Sequence, residues 1–426
     1  MSIEDIYRIY SQHSEICTDT RHIKKNCLFF CLKGEHFNGN TFASDALKKG
    51  AAYVIVDEEA YAINPQCILV NNVLQTLQDL AHYHRKQWHI PILGITGTNG
   101  KTSTKELIKT VLSKKYTVLA TKGNLNNHIG VPLTLLSIHK EVEIAVVEMG
   151  ANHAHEIKDL CQIALPNFGI ITNIGKAHLE GFRNIETIIE TKTALYRSVQ
   201  ESKGKIFIHI DDTLLMEHGK NIPQITYGSS PEADYYGKVI PDDMKCKVFL
   251  PQTNTLLSTH LVGAYNFSNI MAAIAVGQYF KVPISDIQQA ISSYIPTNSR
   301  SQILHKGSNT FILDAYNANP SSMIQAIKNF AHIKHDYKIL LLGDMKELGA
   351  DSIQEHQSMV DLIKTYNFSS VFLIGPEFAK TEHPKGWSIE SMEKAAEIIT
   401  AKKLYHAMIL VKGSRTMQME RMLDYF

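Results

Sequence analysis

Short apolar runs, each followed by a helical pattern, divide the chain into three stretches. In the first stretch, apolar runs at residues 27–32, 53–56 and 67–70 alternate with helical segments, and a helical, histidine-rich segment at 74–88 closes it. Runs of this length are typical of buried strands, and their alternation with helices is typical of α/β units. The pattern predicts a small N-terminal α/β domain over residues 1–88.

The second stretch begins at Pro91 and has the same rhythm on a larger scale. A long alanine-rich helical run follows at residues 263–280. The predicted strands of this stretch are 92–95, 144–147, 168–172 and 206–210. Strands that alternate with helices form parallel sheets covered by helices on both faces. We therefore predict a central domain over residues 89–296 that contains a parallel sheet.

A break at residues 293–298, with the sequence SYIPTN, separates the third stretch. Its predicted strands are 310–314, 338–342, 371–374 and 408–411. They again alternate with helical segments, which predicts a third α/β domain over residues 297–426.

The turn after the first central strand has the composition of a phosphate-binding loop. Residues 94–106 read GITGTNGKTSTKE, and the ending Gly100-Lys101-Thr102 fits the general pattern, although Ile95 occupies its first glycine position. Backbone amides at a helix start suit phosphate oxygens, a lysine adds positive charge and a threonine hydroxyl can bind Mg²⁺. Spacing alone thus indicates a nucleotide site, with an ordinary glycine turn as the alternative.

Charge and composition narrow the classes of partner. The 426 residues include 43 basic and 42 acidic side chains, so a net charge of +1 gives no general attraction for nucleic acid or anionic membranes. The N-terminal sequence MSIEDIYRIYSQ lacks the basic and apolar segments of a signal peptide. Six cysteines form no C-x-x-C pair, which favours free buried thiols. We expect a cytoplasmic protein that holds any anionic ligand locally.

Polar residues directly after predicted strands are candidates for chemistry, because ligands of parallel sheets lie beyond the carboxyl ends of strands. Glu148 follows the strand at 144–147 and could hold Mg²⁺ beside Thr102, while His178 lies after the strand at 168–172. Lys192 lies on the following helical segment. Taken singly, each of the three also suits a solvated or capping role.

Seven motifs, taken together and in order, resemble those of the Mur ligases of cell-wall precursor synthesis. They are TGTNGKTSTKE, EMGANHAHEI, ITNIGKAHLEGF, GAYNFSNIMAA, DAYNANPSSM, LLGDMKELG and VKGSR. The resemblance covers essentially the whole chain. Folylpolyglutamate synthases share the first motif, whereas DAYNANP, GDMKELG and VKGSR are distinctive of members that add D-alanyl-D-alanine.

The resemblance implies an α/β fold of three domains: a small UDP-binding domain, a central P-loop ATPase domain with a parallel sheet, and a C-terminal Rossmann-like domain for the amine substrate. It implies an ATP-dependent ligase that joins D-Ala-D-Ala to UDP-N-acetylmuramoyl-tripeptide through an acyl phosphate. The implied cofactors are ATP, two Mg²⁺ ions and a carbamylated Lys192. We expect a monomer that uses small-molecule substrates and binds neither nucleic acid nor membrane.

By the same resemblance, the catalytic residues are Lys101, Lys192, His178 and Arg300. The metal ligands are Thr102 and Glu148 for the first Mg²⁺, and His178 and carbamylated Lys192 for the second. The residues implied for ATP are Gly97, Thr98, Asn99, Gly100, Lys101, Thr102, Ser103, Asn266, Asn269, Arg300, Asp314 and Tyr316. The residues implied for the substrates are Thr20, Arg21, Asn40, Asn126, Asn127, Asn317, Asn319, Lys412, Ser414 and Arg415.

The chain departs from the family pattern at several positions. Tyr265 replaces a histidine before Asn266, Ser299 replaces a glycine before Arg300, and Thr193-Ala194 replaces the usual residues after Lys192. The segment Asn38-Gly39-Asn40 stands where Asp-Gly-His is more common. The roles of the replaced histidine and of single contacts in the first domain therefore stay open.

Three rival functions remain at this point. The first is another Mur ligase or a folylpolyglutamate synthase-like amide ligase, against which the C-terminal motifs argue. The second is a P-loop phosphotransferase or GTPase switch, but such proteins need no third domain and the guanine-reading N-K-x-D is missing. The third is an inactive nucleotide-binding regulator, and the intact set of Lys101, Thr102, Glu148, His178 and Lys192 argues against it.

Overall fold

The computed structural model describes residues 1–242 and 244–426. In the N-terminal part, a four-stranded parallel sheet has the order β1-β2-β5-β6, and β3 and β4 form a separate hairpin. The strands are β1 Ile16–Cys17, β2 Leu28–Phe30, β3 Lys33–Gly34, β4 Phe37–Asn38, β5 Tyr53–Val56 and β6 Cys67–Leu69. The helices are α1 Ile3–Gln12, α2 Ala43–Lys48 and α3 Val73–Lys86.

The central part is built on a seven-stranded parallel sheet. Its strands are β7 Ile92–Thr96, β8 Val118–Ala120, β9 Ile144–Glu148, β10 Phe168–Ile171, β11 Lys205–His209, β12 Gln224–Gly228 and β13 Tyr235–Tyr236, in the order β13-β12-β11-β10-β7-β9-β8. The helices between them are α4 Lys101–Leu112, α5 Gly130–Leu135, α6 Glu156–Ala164, α7 Leu179–Phe182, α8 Ile185–Glu201 and α9 Thr213–Gly219. The phosphate-loop sequence lies between β7 and α4, in the middle of this sheet.

A three-stranded antiparallel sheet, which the sequence analysis did not predict, follows the parallel sheet. It consists of β14 Lys238–Ile240, β15 Lys245–Leu250 and β16 Thr255–Val262. Helices α10 Phe267–Tyr279 and α11 Ile284–Ser293 come next. Helix α10 begins later than the apolar pattern at 263–280 because Gly263 has a φ of 86° and a 3₁₀ turn occupies residues 264–266.

The C-terminal part contains a six-stranded sheet of order β17-β18-β22-β19-β20-β21, parallel except for the β17–β18 pair. Its strands are β17 Gln302–Lys306, β18 Asn309–Leu313, β19 Lys338–Gly343, β20 Ser370–Ile374, β21 Ser388–Ile389 and β22 Met408–Lys412. Its helices are α12 Pro320–His332, α13 Ser352–Lys364, α14 Pro376–Ala379 and α15 Met392–Lys402. The three-part α/β architecture predicted from the sequence is confirmed.

One cluster of buried apolar side chains continues through all three parts. It includes Leu77 on α3, Val147 on β9 and Leu340 on β19, each fully buried. Separate clusters fill the opposite faces of the sheets. The parts are therefore packed together rather than linked only by chain. Within the described residues, no helix combines the length and apolar character that a membrane crossing requires.

Candidate active site

A cavity of about 1060 Å³ lies where the three parts meet. Gln78 and His82 on α3 line it from the N-terminal part, and Asp314 and Asn319 line it from the C-terminal part. The floor is the loop between β7 and α4. Residues of all three parts thus line one space, although Gln78 and Asn319 are about 240 positions apart in the chain.

The loop at the floor requires its two glycines. Gly97 has a φ of 144°, and an added Cβ would lie 2.0 Å from Thr172 Oγ1. Gly100 has a φ of 80°, and its added Cβ would lie 2.5 Å from Asn269 Oδ1. A side chain at either position would clash with these neighbours and disfavour the positive φ. Glycine is therefore required at both positions.

Lys101 begins α4 and folds back over the loop. Its Nζ donates hydrogen bonds to the carbonyl oxygens of Gly97 at 2.7 Å and Thr98 at 3.1 Å. Burial lowers the pKa of Lys101 to about 8; nearby Glu148 opposes this shift and Arg300 adds to it. An anionic ligand with strong acceptor oxygens would favour the charged amine here.

Glu148 ends β9 directly beside this loop and is 1% exposed. Its Oε1 accepts hydrogen bonds from Thr102 Oγ1 at 3.1 Å and Asn126 Nδ2 at 2.8 Å. Its Oε2 is buried and has no hydrogen-bond partner among the described residues. A buried carboxylate oxygen without a donor is costly unless a cation satisfies it, so Glu148 and Thr102 fit a Mg²⁺ ion.

Lys105 is a residue of this site that the sequence analysis missed. It is fully buried, donates to the carbonyl oxygens of Thr121 at 2.7 Å and Gly123 at 3.0 Å, and its Nζ lies 3.6 Å from Glu148 Oε2. It therefore ties α4 to the segment that leads to Asn126. The available signal was its position four residues after Lys101, which puts a second charge on the same helix face.

Lys192 on α8 is 2% exposed, and no described carboxylate forms an ion pair with it. Its Nζ donates to the carbonyl oxygen of Gly97 at 3.1 Å and lies 5.9 Å from the centre of the Phe182 ring. Burial, reinforced by the charge of Lys101, holds the pKa of Lys192 well below its ordinary value. The structure thus brings the predicted lysine to the loop, in surroundings that disfavour its charge.

His178 precedes α7 with a left-handed φ of 51°, and its Nδ1 pairs with the carboxylate of Glu347 from the C-terminal part. Hydrogen bonding by His178 lowers the pKa of Glu347. The ring of His178 also lies 6.4 Å from that of Phe182, the ring that Lys192 approaches. Glu347 was missed by the sequence analysis because nothing in the GDMKELG motif indicates a partner in another domain.

Asn266 and Asn269 form a connected pair at the start of α10. Asn269 Nδ2 donates to Asn266 Oδ1 at 2.9 Å, and Asn269 Oδ1 accepts from Thr104 Oγ1 at 3.0 Å. Asn266 Nδ2 in turn donates to the carbonyl oxygen of Val262. The predicted helical spacing is confirmed, and the pair packs α10 against α4 at the cavity wall.

Arg300 enters the cavity from the start of the C-terminal part. Its guanidinium lies 3.7 Å from the centre of the Tyr316 ring, and its Nε is buried with no hydrogen-bond partner in the described part of the chain. The stacking fixes the plane of the guanidinium and leaves Nε available to an acceptor.

Asp314 directly follows β18, Lys412 is the last residue of the neighbouring strand β22, and the two form an ion pair at 2.6 Å. Lys412 also donates to the carbonyl oxygen of Asn317 at 3.2 Å.

Ser414 is buried, and its Oγ accepts from the backbone amide of Lys346, whereas the exposed Arg415 pairs with Glu420. Neither Ser414 nor Arg415 lines the cavity.

Asn319 connects the C-terminal part to the loop directly. Its Oδ1 caps α12 by accepting from the amide of Ser322, and its Nδ2 donates to Asn99 Oδ1 at 2.9 Å. Asn99 Nδ2 donates in turn to Ser321 Oγ at 2.9 Å. The exposed Asn317 lines the same wall.

The predicted residues of the first domain lie apart from this cavity. Arg21 is exposed and pairs with Asp19 at 2.6 Å, and Thr20 begins the same turn. Asn40 is fully buried and donates to Asp57 Oδ1 at 2.8 Å.

Two predicted substrate residues of the central part, Asn126 and Asn127, do line the cavity. Asn127 Oδ1 also accepts from the amide of Gly130 at 2.9 Å.

The described residues contain no group of three or more His, Cys, Asp or Glu side chains placed to hold a metal ion. Mg²⁺ nevertheless needs few protein ligands, because it keeps several waters and binds through one or two carboxylates plus substrate phosphates. The pair of Glu148 and Thr102 beside a phosphate loop is such a donor set.

Comparison with known proteins gives consistent matches along the chain. The model of the Mur ligase family catalytic domain matches residues 13–88, that of the Mur ligase middle domain matches 95–277, and that of the Mur ligase glutamate ligase domain matches 299–415. The UDP-N-acetylmuramoyl-tripeptide--D-alanyl-D-alanine ligases of Treponema pallidum and Bacillus subtilis are each 32% identical to this chain. The matches cover 95% and 96% of this chain, respectively, and 92% of each relative.

Solved structures agree with these matches. MurF from Acinetobacter baumannii is similar with a TM-score of 0.84 and 28% identity, over 96% of this chain and 92% of that one. The MurF ligase of Thermotoga maritima in complex with ADP is similar with a TM-score of 0.84 and 25% identity, over 97% and 96% of the two chains.

Proposed function

This chain belongs to the Mur ligase family, and we propose that it adds D-alanyl-D-alanine to UDP-N-acetylmuramoyl-tripeptide in an ATP-dependent reaction of peptidoglycan precursor synthesis. The observation that carries the proposal is the single cavity that joins a phosphate-binding loop to polar groups of the C-terminal part. A reaction among ATP, a carboxylate and an amine needs all three in one space. The substrates are those in the names of the full-length relatives.

The chemistry explains why ATP is needed. A carboxylate is a poor acyl donor, because its charge repels the amine and an oxide ion is a poor leaving group. Transfer of the γ-phosphoryl group from ATP to a carboxylate oxygen forms an acyl phosphate and releases ADP. The D-Ala-D-Ala nitrogen then attacks the carbonyl carbon, the tetrahedral intermediate expels phosphate, and the nitrogen loses a proton. Both steps concentrate negative charge that fixed cations stabilise.

Lys101 and the amides of the loop hold the β- and γ-phosphates. The Lys101 ammonium donates to two loop carbonyls, and phosphate oxygens are stronger acceptors for the same hydrogens. Arg300 extends its unpaired Nε toward the same anionic group. Asn266, Asn269, Asp314 and Tyr316 form the surrounding wall for the nucleotide.

Glu148 and Thr102 would hold the first Mg²⁺, and His178 with Lys192 would hold the second. When bound, these ions neutralise charge on the phosphates and the acyl phosphate. The unsatisfied Oε2 of Glu148 supports the first assignment.

The second assignment requires Lys192 to become an anion. Burial lowers the pKa of Lys192 and so favours its neutral amine form, whose nitrogen can attack CO₂ to form an N–C bond with loss of a proton. The resulting carbamate has oxygen ligands of the kind that Mg²⁺ prefers.

The remaining substrate residues divide between the two outer parts. Thr20, Arg21 and Asn40 hold the uridine nucleotide, and Asn126 and Asn127 face the UDP-linked peptide. The dipeptide lies against the C-terminal wall formed by Asn317, Asn319 and Lys412, whereas Ser414 and Arg415, which the resemblance also implies, do not line the cavity. The charge of Lys412 near the cavity supports binding of a carboxylate there.

We propose domain limits at residues 88/89 and 296/297, which fall between the sheets. We also propose that the enzyme is a monomer of the cytoplasm. Its six cysteines are buried and form no disulfide, which suits a reducing compartment.

A coupled phosphate-release assay with a panel of UDP-muramoyl peptides and amine acceptors tests the proposal. Release should require ATP, UDP-N-acetylmuramoyl-tripeptide and D-Ala-D-Ala together, and mass spectrometry should detect the pentapeptide product. Equal turnover without the two organic substrates would contradict a ligase. Preference for a single amino acid, such as glutamate, over the dipeptide D-Ala-D-Ala would identify a different ligase of the superfamily.

A further inference from the structure

Tyr265 joins the central part to the turn that carries Arg300. Its hydroxyl lies 2.8 Å from Ser301 Oγ, within hydrogen-bond distance. Tyr265 belongs to the 3₁₀ turn between β16 and α10, whereas Ser301 directly precedes β17 of the C-terminal sheet. The contact therefore crosses the connection between the two parts, one residue away from the arginine in the cavity.

The turn around Arg300 has a backbone that needs outside support. Ser299 has a φ of 54° and Ser301 a φ of 51°, so two serines adopt the left-handed region on either side of the arginine. Such residues are strained, and the conformation persists only where surrounding contacts fix it.

Residues of the C-terminal part supply two of these contacts. The backbone amide of Tyr316 donates to the carbonyl oxygen of Ser299 at 3.1 Å, and the amide of Ser301 donates to Asp314 Oδ1 at 3.2 Å. Both hold the turn to the end of β18. The Tyr265 hydroxyl contacts the same turn from the side of the central part.

The surroundings of Tyr265 are shaped for its ring. Gly263 has a φ of 86°, and a Cβ added there would lie 2.4 Å from Tyr265 Cε1. The ring is thus closely packed, and its hydroxyl is the group that reaches Ser301. Burial raises the pKa of Tyr265, which keeps the hydroxyl protonated and able to donate.

We infer that Tyr265 is a positioning residue that acts through Ser301 to hold Arg300 toward the γ-phosphate of ATP. The inference rests on the proposed function, because that function gives Arg300 its ligand. It also gives the tyrosine at this position a role: the hydrogen bond aligns the C-terminal arginine with the phosphate loop of the central part.

The Tyr265→Phe variant tests this with the ring retained and only the hydroxyl removed. Calorimetry should show about 3- to 10-fold weaker binding of a non-hydrolysable ATP analogue and unchanged binding of ADP, because ADP lacks the γ-phosphate. In the complete assay kcat should fall by a similar factor, with unchanged KM for the peptide and dipeptide. Ser301→Ala should reproduce both effects.

A double variant tests the route through Arg300. Adding Tyr265→Phe to Arg300→Met should cause no further loss, whereas an independent role would give additive losses and overturn the inference. Tyr116→Phe is the matched control, since its hydroxyl donates to the Phe280 carbonyl oxygen away from the cavity. This control should bind both nucleotides as the wild type does.

Equal weakening of ADP and the ATP analogue by Tyr265→Phe would also overturn the inference, as would wild-type behaviour. Tyr265→His should keep part of the selectivity for the ATP analogue over ADP that Tyr265→Phe loses, because an imidazole nitrogen can also form a hydrogen bond with Ser301. A folded Tyr265→His variant with no more selectivity than Tyr265→Phe would count against the hydrogen bond. Nucleotide binding is measured without the peptide substrates. If no substrate in the phosphate-release panel supported turnover, the proposed function would be rejected. The effect of Tyr265→Phe on nucleotide binding could still be interpreted.

Discussion

Two lysines in different parts of the molecule are equally buried but differ in their partners. Lys192 on α8 and Lys412 at the end of β22 are each 2% exposed. Lys412 pairs with Asp314 at 2.6 Å, whereas Lys192 donates to a loop carbonyl and has no described carboxylate partner. A buried lysine normally needs a counter-ion or loses its proton.

The difference in partners gives the two buried lysines different roles. At Lys412 the ion pair with Asp314 joins the carboxyl ends of two neighbouring strands of the C-terminal sheet. At Lys192 the surroundings disfavour the charge and lower the pKa, so the amine is free to react. Burial alone thus does not distinguish a structural lysine from a chemical one; the partner does.

The largest expected effect is at Lys192. Lys192→Ala should lower kcat by about a thousandfold, comparable to the loss of a main group that stabilises charge in the transition state. Added acetate or formate should restore part of the activity by supplying the missing carboxylate. Phosphate release measures both effects.

Lys192→Arg is the control, because arginine keeps a long basic side chain but cannot form a carbamate. It should be inactive and unaffected by short carboxylates. Carbon-13 NMR of wild-type protein equilibrated with labelled CO₂ should show a carbamate signal that both variants lack. Normal activity in Lys192→Ala would remove the carbamate from the mechanism.

Lys412→Met should lower stability in addition to weakening binding of the dipeptide carboxylate. Removing one partner leaves Asp314 charged and largely buried, so the free energy of unfolding should fall by about 3 kcal/mol. Urea unfolding measures the change. The double variant Lys412→Met/Asp314→Asn should recover part of the loss, and additive losses would show that the two residues are not coupled.

A smaller effect is expected from the titration of Lys101. Because burial lowers its pKa to about 8, ATP affinity should be constant below that pH and fall about tenfold per unit above it, as the ammonium is lost. Calorimetry in buffers of different ionisation enthalpy should detect proton uptake on ATP binding near pH 8. Lys101→Met should bind weakly and without proton uptake.

The same shift has a defined consequence for stability. Between about pH 8 and the ordinary lysine pKa of about 10.4, the unfolded chain binds the proton that the folded chain has lost, so this group's contribution to stability rises with pH. Lys101→Met should lack that rise. An unchanged pH profile in the variant would contradict the lowered pKa.

The smallest effect is expected at an exposed lysine. Lys176 pairs with Glu355 across the central and C-terminal parts at 2.8 Å, but its side chain is 60% exposed. Lys176→Met should change stability by less than about 1 kcal/mol. Solution scattering should show unchanged dimensions with all ligands bound, and a large expansion would mean that this pair is needed to hold the central and C-terminal parts together.

The sequence predicted those features that short-range patterns determine. Strands such as β9 and β19 are continuous apolar runs, and the phosphate loop follows from glycine spacing, so both were found. The antiparallel strands β14 to β16 were missed because β15 alternates buried and partly exposed positions, a weaker signal than an apolar run. Lys105 and Glu347 were missed because their partners are set by tertiary packing.

The resemblance to the Mur ligases also predicted a site residue that residue chemistry alone did not indicate. Lys192, read by itself, suited a solvated helix face, and only the family pattern indicated the site. Its burial explains why: α8 turns this lysine inward to the Gly97 carbonyl, and the helical pattern of its neighbours does not reveal that a lysine occupies the buried face.

The apolar cluster that continues through all three parts constrains how such a protein diversifies. Leu77, Val147 and Leu340 belong to one packed interior, so each part presents complementary apolar contacts to the next. Exchange of a single part with a relative would replace one side of such an interface and leave mismatched volumes against the other. New acceptor specificities are therefore expected to arise by substitution along the cavity wall, with recombination of whole modules disfavoured.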